Sequence, residues 1–175
     1  MRARIVYESL YGNTAAIAGA VAAGMGRYGK VEVMNVVMAG EQPECAVDLL
    51  VVGAPTHLFG MSRPHARRVA ARRTSAPVVT DVGIREWLAA AHPPRPHAHA
   101  AVFDTHVAHS AHIPGSAARS IAKRLQRLGY HLVDDPIEFL LDDLTGPVSP
   151  GELARARGWA QRLAATELDR IAHHV

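Results

Sequence analysis

Cysteine is almost missing from this chain. Cys45 stands alone among 175 residues, so no internal disulfide can form, and the expected setting is a reducing cytoplasm. No His or Cys lies at metal-ligand spacing around it, so Cys45 reads as a small packing residue. Lysine is nearly as scarce: only Lys30 and Lys123 occur, and arginine carries most of the net charge of +3. Aromatic residues make up 5% of the chain, which leaves Ala, Val, Leu and Ile to fill most of the core. Long apolar runs are lacking too. The uncharged stretch from Leu10 to Gly26 is broken by Gly and polar residues and is too short and mixed to span a bilayer. Met1-Arg2-Ala3-Arg4-Ile5 has neither the apolar segment nor the cleavage site of a signal peptide. A cytoplasmic protein without a membrane span is the expectation. The length suits one domain over residues 1–175 with a sizeable core.

What the chain does have is arginine in a cluster, from Arg63 through Arg67, Arg68 and Arg72 to Arg73. At helical spacing Arg68 and Arg72 share a face, as do Arg63 and Arg67. No aromatic residue is interleaved for base stacking, so nucleic acid is not the expected partner and the cluster reads as a solvated helix face.

Apolar periodicity divides the chain into alternating strands and helices. Arg2–Glu8 reads as a buried strand and Ala15–Arg27 as a helix of small residues suited to close packing on a sheet. Lys30–Val37 alternates as a second strand, and Asp48–Gly53 is short, β-branched and apolar, as in the middle of a parallel sheet. A Gly/Pro-bearing loop, Ala54–Arg63, is expected before helices at Pro64–Arg73 and Ile84–Ala91. Pro93–His97 reads as a flexible connection. His99–Asp104 supplies another strand, followed by a long loop, Thr105–Pro114. Ser116 caps a helix that runs through Leu128, and Gly129 closes it. His131–Asp142 holds one strand, or two pieces split at Pro136, and Glu152–Ala172 is a long terminal helix in which Trp159, like Trp87 earlier, belongs to the core. This alternation predicts βαβ units and a parallel sheet covered on both faces.

At the first strand-to-helix junction stands SLYGNT, Ser9–Thr14, polar and without a cation. Ligands of open α/β sheets bind beyond the carboxyl ends of the strands. A helix N-terminus there offers unpaired N–H groups and the positive end of its dipole. The hydroxyls of Ser9 and Thr14, the Asn13 amide and the backbone N–H groups can surround a phosphate, with Gly12 allowing close approach. An ordinary polar turn is the competing reading. GxxxxGK[ST] is absent, which excludes a P-loop, and GxGxxG does not stand at this strand-to-helix junction, which argues against the dinucleotide fingerprint here.

SLYGNT followed by an Ala-rich helix resembles the phosphate-binding signature of the flavodoxin family, (S/T)-x-(T/Y)-G-N-T. Gly53-Ala-Pro-Thr-His-Leu-Phe-Gly60 is similar to that family's second flavin loop, and the order of strands and helices matches over most of the chain. Runs such as GMSRP, REWL and GSAAR resemble those of small flavodoxin-like proteins of GC-rich bacteria. The resemblance implies a doubly wound α/β fold with five parallel strands in the order 2-1-3-4-5. It implies that Ser9, Leu10, Tyr11, Gly12, Asn13 and Thr14 hold the phosphate of FMN. Pro55, Thr56, His57, Leu58, Phe59 and Gly60 would line one side of the isoalloxazine, and the loop opened by Thr105 and His106 would close the other. Redox activity follows, as electron transfer or as reduction of a quinone-like acceptor. The donor and acceptor are not named by the sequence; NAD(P)H and a quinone are the pair to test. A flavodoxin-fold binding or regulatory module with weak or no FMN binding is the alternative.

The chain departs from the family pattern in two ways. Typical flavodoxins clamp the ring between aromatic residues, whereas Thr105–Gly115 contains no Phe, Tyr or Trp. Electron-shuttling flavodoxins are usually acidic, and this chain is basic. His106, His109 and His112 recur every three residues, but no carboxylate lies between them and Pro114-Gly115 follows. They read as polar loop histidines, one or two of which touch the flavin, rather than as metal ligands. His57, inside a flavin loop, is the better candidate for a functional histidine.

Overall fold

A computed structural model describes residues 1–42, 46–57, 60–75, 78–108 and 115–173. Four strands build most of a parallel sheet: β1 (Arg2–Tyr7), β2 (Lys30–Asn35), β3 (Leu49–His57) and, after the two-residue β4 (Gly60–Met61), β5 (His99–Val107). The last position is shared by β6 (His131–Leu132) and β7 (Ile137–Leu141), both parallel to β5. Pro136, which has no N–H to give a ladder, lies in the gap between them. The order is β2-β1-β3-β5-β6, with β4 folded back antiparallel on β3. Taking β4 as a hairpin arm and β6 with β7 as one strand, this is the expected 2-1-3-4-5.

Helix α1 (Asn13–Met25) and helix α6 (Glu152–His173) cover one face. Ile5, Val51 and Phe103 from the strands meet Ile17, Val21 and Trp159 from these helices in one buried cluster. Phe103, Phe139 and Trp159 pack edge to face, with ring centroids 5.9–6.3 Å apart, so the few aromatics are concentrated here. The small residues of α1 let the two helices approach closely. A Cβ on Gly24 would lie 2.5 Å from the Arg157 carbonyl oxygen.

The other face carries α2 (Val36–Glu41), α3 (Pro64–Ala71), α4 (Ile84–Ala90) and α5 (Ala117–Leu128). Ser116 caps α5 by accepting the Arg119 N–H at 3.2 Å, and Gly129 ends it at φ 108°. Val6, Val52 and Val102 from the sheet meet Ile84, Leu88, Ile121 and Leu125 here, and Trp87 packs partly buried against them.

Four expectations are corrected. The second strand stops at Asn35, whose side chain accepts the N–H groups of Val37 and Met38 and starts α2 in place of two further strand residues. The third strand does not give way to a loop at Ala54. It pairs with β5 as far as Pro55↔Thr105 and turns back at His57, and Pro55 lies past the end of β1, where a missing N–H is tolerated. The fourth runs on to Val107 because β7 pairs with it to the end. Finally, the arginine cluster is not wholly solvated: Arg68, Arg72 and Arg73 are exposed, but Arg67 is 0% exposed. No helix among the described residues is long and apolar enough to cross a membrane.

Candidate functional site

Beyond β1 the chain makes a tight turn that opens α1. Ser9 Oγ accepts the N–H groups of Gly12 at 3.1 Å and Ala15 at 3.3 Å. Gly12 sits at φ 90°, a left-handed conformation that costs glycine least. Ala16 N–H goes to the Gly12 carbonyl. The amides of Asn13 and Thr14 find no acceptor among the described residues, and they carry the positive end of the helix dipole. Thr14 Oγ1 lies 2.9 Å from Thr105 Oγ1, both buried, which joins the first turn to the end of β5.

Three stretches from the carboxyl ends of β1, β3 and β5 thereby meet at a narrow cleft. Leu10, Tyr11, Asn13 and Thr14 come from the first, and Pro55, Thr56 and His57 from the second. Thr105 and His106 come from the third, with Leu144 of the turn after β7 beside them. The cleft itself is about 30 Å³ and adjoins a chamber of about 930 Å³ that shares Tyr11, Thr56, His57 and His106. Three expected site residues are not in it. Ser9 and Gly12 face a separate hollow beside Glu8 and Asn35. Gly60 packs in β4 against α5, where a Cβ would sit 3.0 Å from Ser120 Oγ. Leu58, Phe59, His109 and His112 lie outside the described residues, as does Cys45.

The end of β5 carries a carboxylate that periodicity did not single out. Asp104 is 0% exposed, and its Oδ2 accepts Thr56 Oγ1 at 2.7 Å, Ser116 Oγ at 2.7 Å and the Ala118 N–H at 2.9 Å. It therefore staples β3 and β5 to the start of α5. Its Oδ1 is buried with no hydrogen-bond partner among the described residues, and His106 Nδ1 stands 3.7 Å away, at ion-pair rather than hydrogen-bond distance. Burial pushes this carboxyl up, but His106, Ala118 N–H, Thr56 and Ser116 outweigh it and leave the group below the ordinary aspartate range. Asp104 in turn raises His106 against the pull of burial, with Glu138 adding to the effect. His57 behaves oppositely: burial, then the charge of Arg67, lowers it, and its Nε2 is buried without a partner among the described residues. The two imidazoles of the cleft are thus shifted in opposite directions, His106 up and His57 down. A single Asp ending an otherwise apolar strand, Ala100–Phe103, was the available signal for the staple.

A second buried polar cluster supports the hairpin from below. Arg67 Nη1 donates to Ser62 Oγ at 2.9 Å, the Ser62 hydroxyl donates to Glu8 Oε1, and Ile84 N–H donates to Glu8 Oε2 at 2.9 Å. Burial raises the Glu8 carboxyl, although Ser62, Ile84 N–H and Arg67 oppose it. Arg67 also reaches Glu86 at 2.9 Å and the Thr80 carbonyl at 2.9 Å. No local sequence pattern marks this cluster, because its members come from five separate segments.

No family model matches the chain, and no curated protein matches it. Solved structures do match along nearly the whole length. An archaeal flavodoxin superposes with a TM-score of 0.61 at 19% identity, over 95% of this chain and 99% of that one. A WrbA-like flavodoxin from Agrobacterium tumefaciens gives 0.63 at 19% identity, over 96% and 98%. Oxidised flavodoxin 2 from Bacillus cereus gives 0.63 at 15% identity, over 95% and 99%. The fold is flavodoxin-like. The cleft described above lies where its strand order reverses, between β1 and β3, the place at which open α/β sheets bind ligands.

Proposed function

We propose that the chain, residues 1–175 as one domain, binds FMN without a covalent bond and acts as a redox protein, in electron transfer or in NAD(P)H-dependent reduction of a quinone-like acceptor. The observation that carries this reading is the convergence of Leu10, Tyr11, Asn13 and Thr14, of Pro55–His57 and of Thr105–His106 on one cleft, beside two helix amides without an acceptor among the described residues. These residues fit the cofactor: the Asn13 and Thr14 N–H groups would take its phosphate, with no formal cation needed. Tyr11 and Leu144 border the space on which a ring would lie. Bound FMN supplies the chemistry, exchanging one or two electrons. His57 offers its buried ring nitrogen to a polar ring edge, and His106, raised by Asp104, would when protonated favour any ligand that gains negative charge there.

A second reading, a binding or regulatory module of the same fold with weak or no FMN binding, is favoured by the tightness of the cleft and by Ser9, whose hydroxyl already takes two N–H groups of the turn. Titration of flavin-free protein with FMN, followed by flavin fluorescence, separates the two. Saturable binding of one FMN per chain supports the first reading; no binding up to roughly millimolar FMN establishes the second.

A further inference from the structure

Charge is spread unevenly over the molecule. The stretches 60–73, 83–91 and 115–129, which hold β4, α3, α4 and α5, contain ten of the chain's 19 lysines and arginines but one of its 16 acidic residues, Glu86. They carry +9, and the nine cations and 15 acids elsewhere leave −6 for the rest of the chain. Glu86 is already engaged: it pairs with buried Arg67 at 2.9 Å and accepts the Gly83 N–H at 2.9 Å. Three further guanidinium groups gather near it from three helices. Arg85 on α4 donates to the Met61 and Ser62 carbonyls at 3.0 and 3.2 Å, and Arg124 on α5 donates to the Arg85 carbonyl at 3.2 Å. Burial, then the charges of Arg124 and of Arg63 at the start of α3, hold Arg85 below the ordinary arginine range. Among the described residues no carboxylate forms an ion pair with any of the three. Backbone carbonyls place these cations without neutralising them, so their mutual repulsion persists until an anion arrives. None of them lines the cleft or its chamber, and the flavin reading leaves them unexplained.

The extent and chemistry of the patch select its partner. Along α5 the positive row runs from Arg119 to Arg127, about 12 Å of helix and farther than one small anion reaches. A membrane surface fits poorly, because the exposed large apolar side chains among the described residues, such as Val33, Met38 and Leu153, all lie on other elements. Nucleic acid fits no better. Trp87, the only aromatic residue of these stretches, packs partly buried against the core, and α5 lies with its apolar side on the sheet rather than projecting toward a groove.

We propose that Arg63, Arg85, Arg124 and Arg127 form a docking surface for an acidic segment of a partner protein, whose carboxylates would pair with guanidinium groups that this chain leaves without one. Docking needs no flavin and stands apart from the cofactor reading.

The experiment follows the anisotropy of a fluorescein-labelled oligoglutamate peptide titrated with the full chain, free of flavin. Binding is expected at about 50 mM salt and should weaken about tenfold at about 200 mM. Arg63→Glu/Arg127→Glu should weaken it at least about tenfold. Arg157→Glu/Arg162→Glu, the same charge change at exposed positions on α6, should leave it within about twofold. Arg63→Gln/Arg127→Gln should give an intermediate loss, and it carries the comparison if the Glu variant melts below the parent. Equal losses in the α6 variant would reduce the effect to net charge and overturn the proposal, as would absence of peptide binding at the lower salt. Tighter binding of a DNA duplex, or of vesicles with about 30% phosphatidylserine, would overturn it too, by giving the surface to a different class of partner.

Discussion

Thr14 and Thr105 share a hydrogen bond 2.9 Å long, buried between the start of α1 and the end of β5. The resemblance to flavodoxins assigns the Thr14 hydroxyl to a phosphate; in this structure it faces Thr105. Thr14→Val or Thr105→Val should each cost about 1–3 kcal/mol, because either change leaves a buried hydroxyl unpaired. The double variant should cost less than the two single costs added together, since the pair is then removed whole. Urea denaturation of the four proteins measures this. Additive losses would mean that the hydroxyls act independently.

Arg67 and Arg68 are neighbours on α3 with opposite fates. Arg67→Ala removes the cation from the cluster with Ser62, Glu8 and Glu86 and should destabilise by about 3–5 kcal/mol, because Ser62 and the Thr80 carbonyl lose a fully buried hydrogen-bonding partner and half-buried Glu86 loses its counter-charge. Arg67→Lys should recover only part of that, since an ammonium cannot reproduce the fork to Ser62 and the Thr80 carbonyl. Arg68→Ala, at an exposed position, should stay within about 0.5 kcal/mol. Thermal melts of the three variants decide the point.

The same pair shows which parts of the fold were readable in the sequence. Local signals sufficed wherever a local interaction decides: Ser116 and Gly129 bound α5, Pro136 divides the last strand position, and SLYGNT opens α1. They failed where a distant partner decides. β3 and β5 outrun their apolar runs because they pair with each other and with β7, which no window along the chain can report. Arg67 reads as one more surface arginine until Glu8 and Ser62 are brought beneath it. The three stretches that meet at the cleft could be named from the sequence, but Asp104 could not. A motif records ligand contacts, whereas a staple arises from packing. Asn35 is the instructive exception, a local cap that was present but hidden by the strand-like alternation before it.

Stability should depend on pH through Asp104 and His106. The His106 value in the fold lies above its ordinary 6.5, so its contribution is fully present below 6.5 and is lost as pH rises through the raised value. That of Asp104 lies below its ordinary 3.8, so its contribution is present above 3.8 and is lost as pH falls through the lowered value. The ion pair therefore helps most between these limits. Replacing His106 by Asn should cost more stability at about pH 5 than at about pH 8.5, as read from urea midpoints. A difference independent of pH would show that His106 contributes packing rather than charge.

The phosphate assignment can be tested at Asn13, the first residue of α1, whose side chain lines the cleft and accepts or donates no hydrogen bond among the described residues. Asn13→Asp keeps the shape and adds one negative charge. At a helix N-terminus that charge is favourable by about 0.3–1 kcal/mol, so the variant should fold at least as well as the parent. Beside a bound phosphate it is repulsive, by about 1 kcal/mol if water screens the two charges fully and about 4 kcal/mol at the effective dielectric of a protein surface. FMN affinity should accordingly fall by at least about fivefold, while riboflavin, identical but for the phosphate, should bind almost as before. Fluorescence titration of both flavins, beside a thermal melt, reads all three effects. Equal losses for FMN and riboflavin would place the ring, not the phosphate, near Asn13. An unchanged FMN affinity in a well-folded variant would take the phosphate away from this helix altogether.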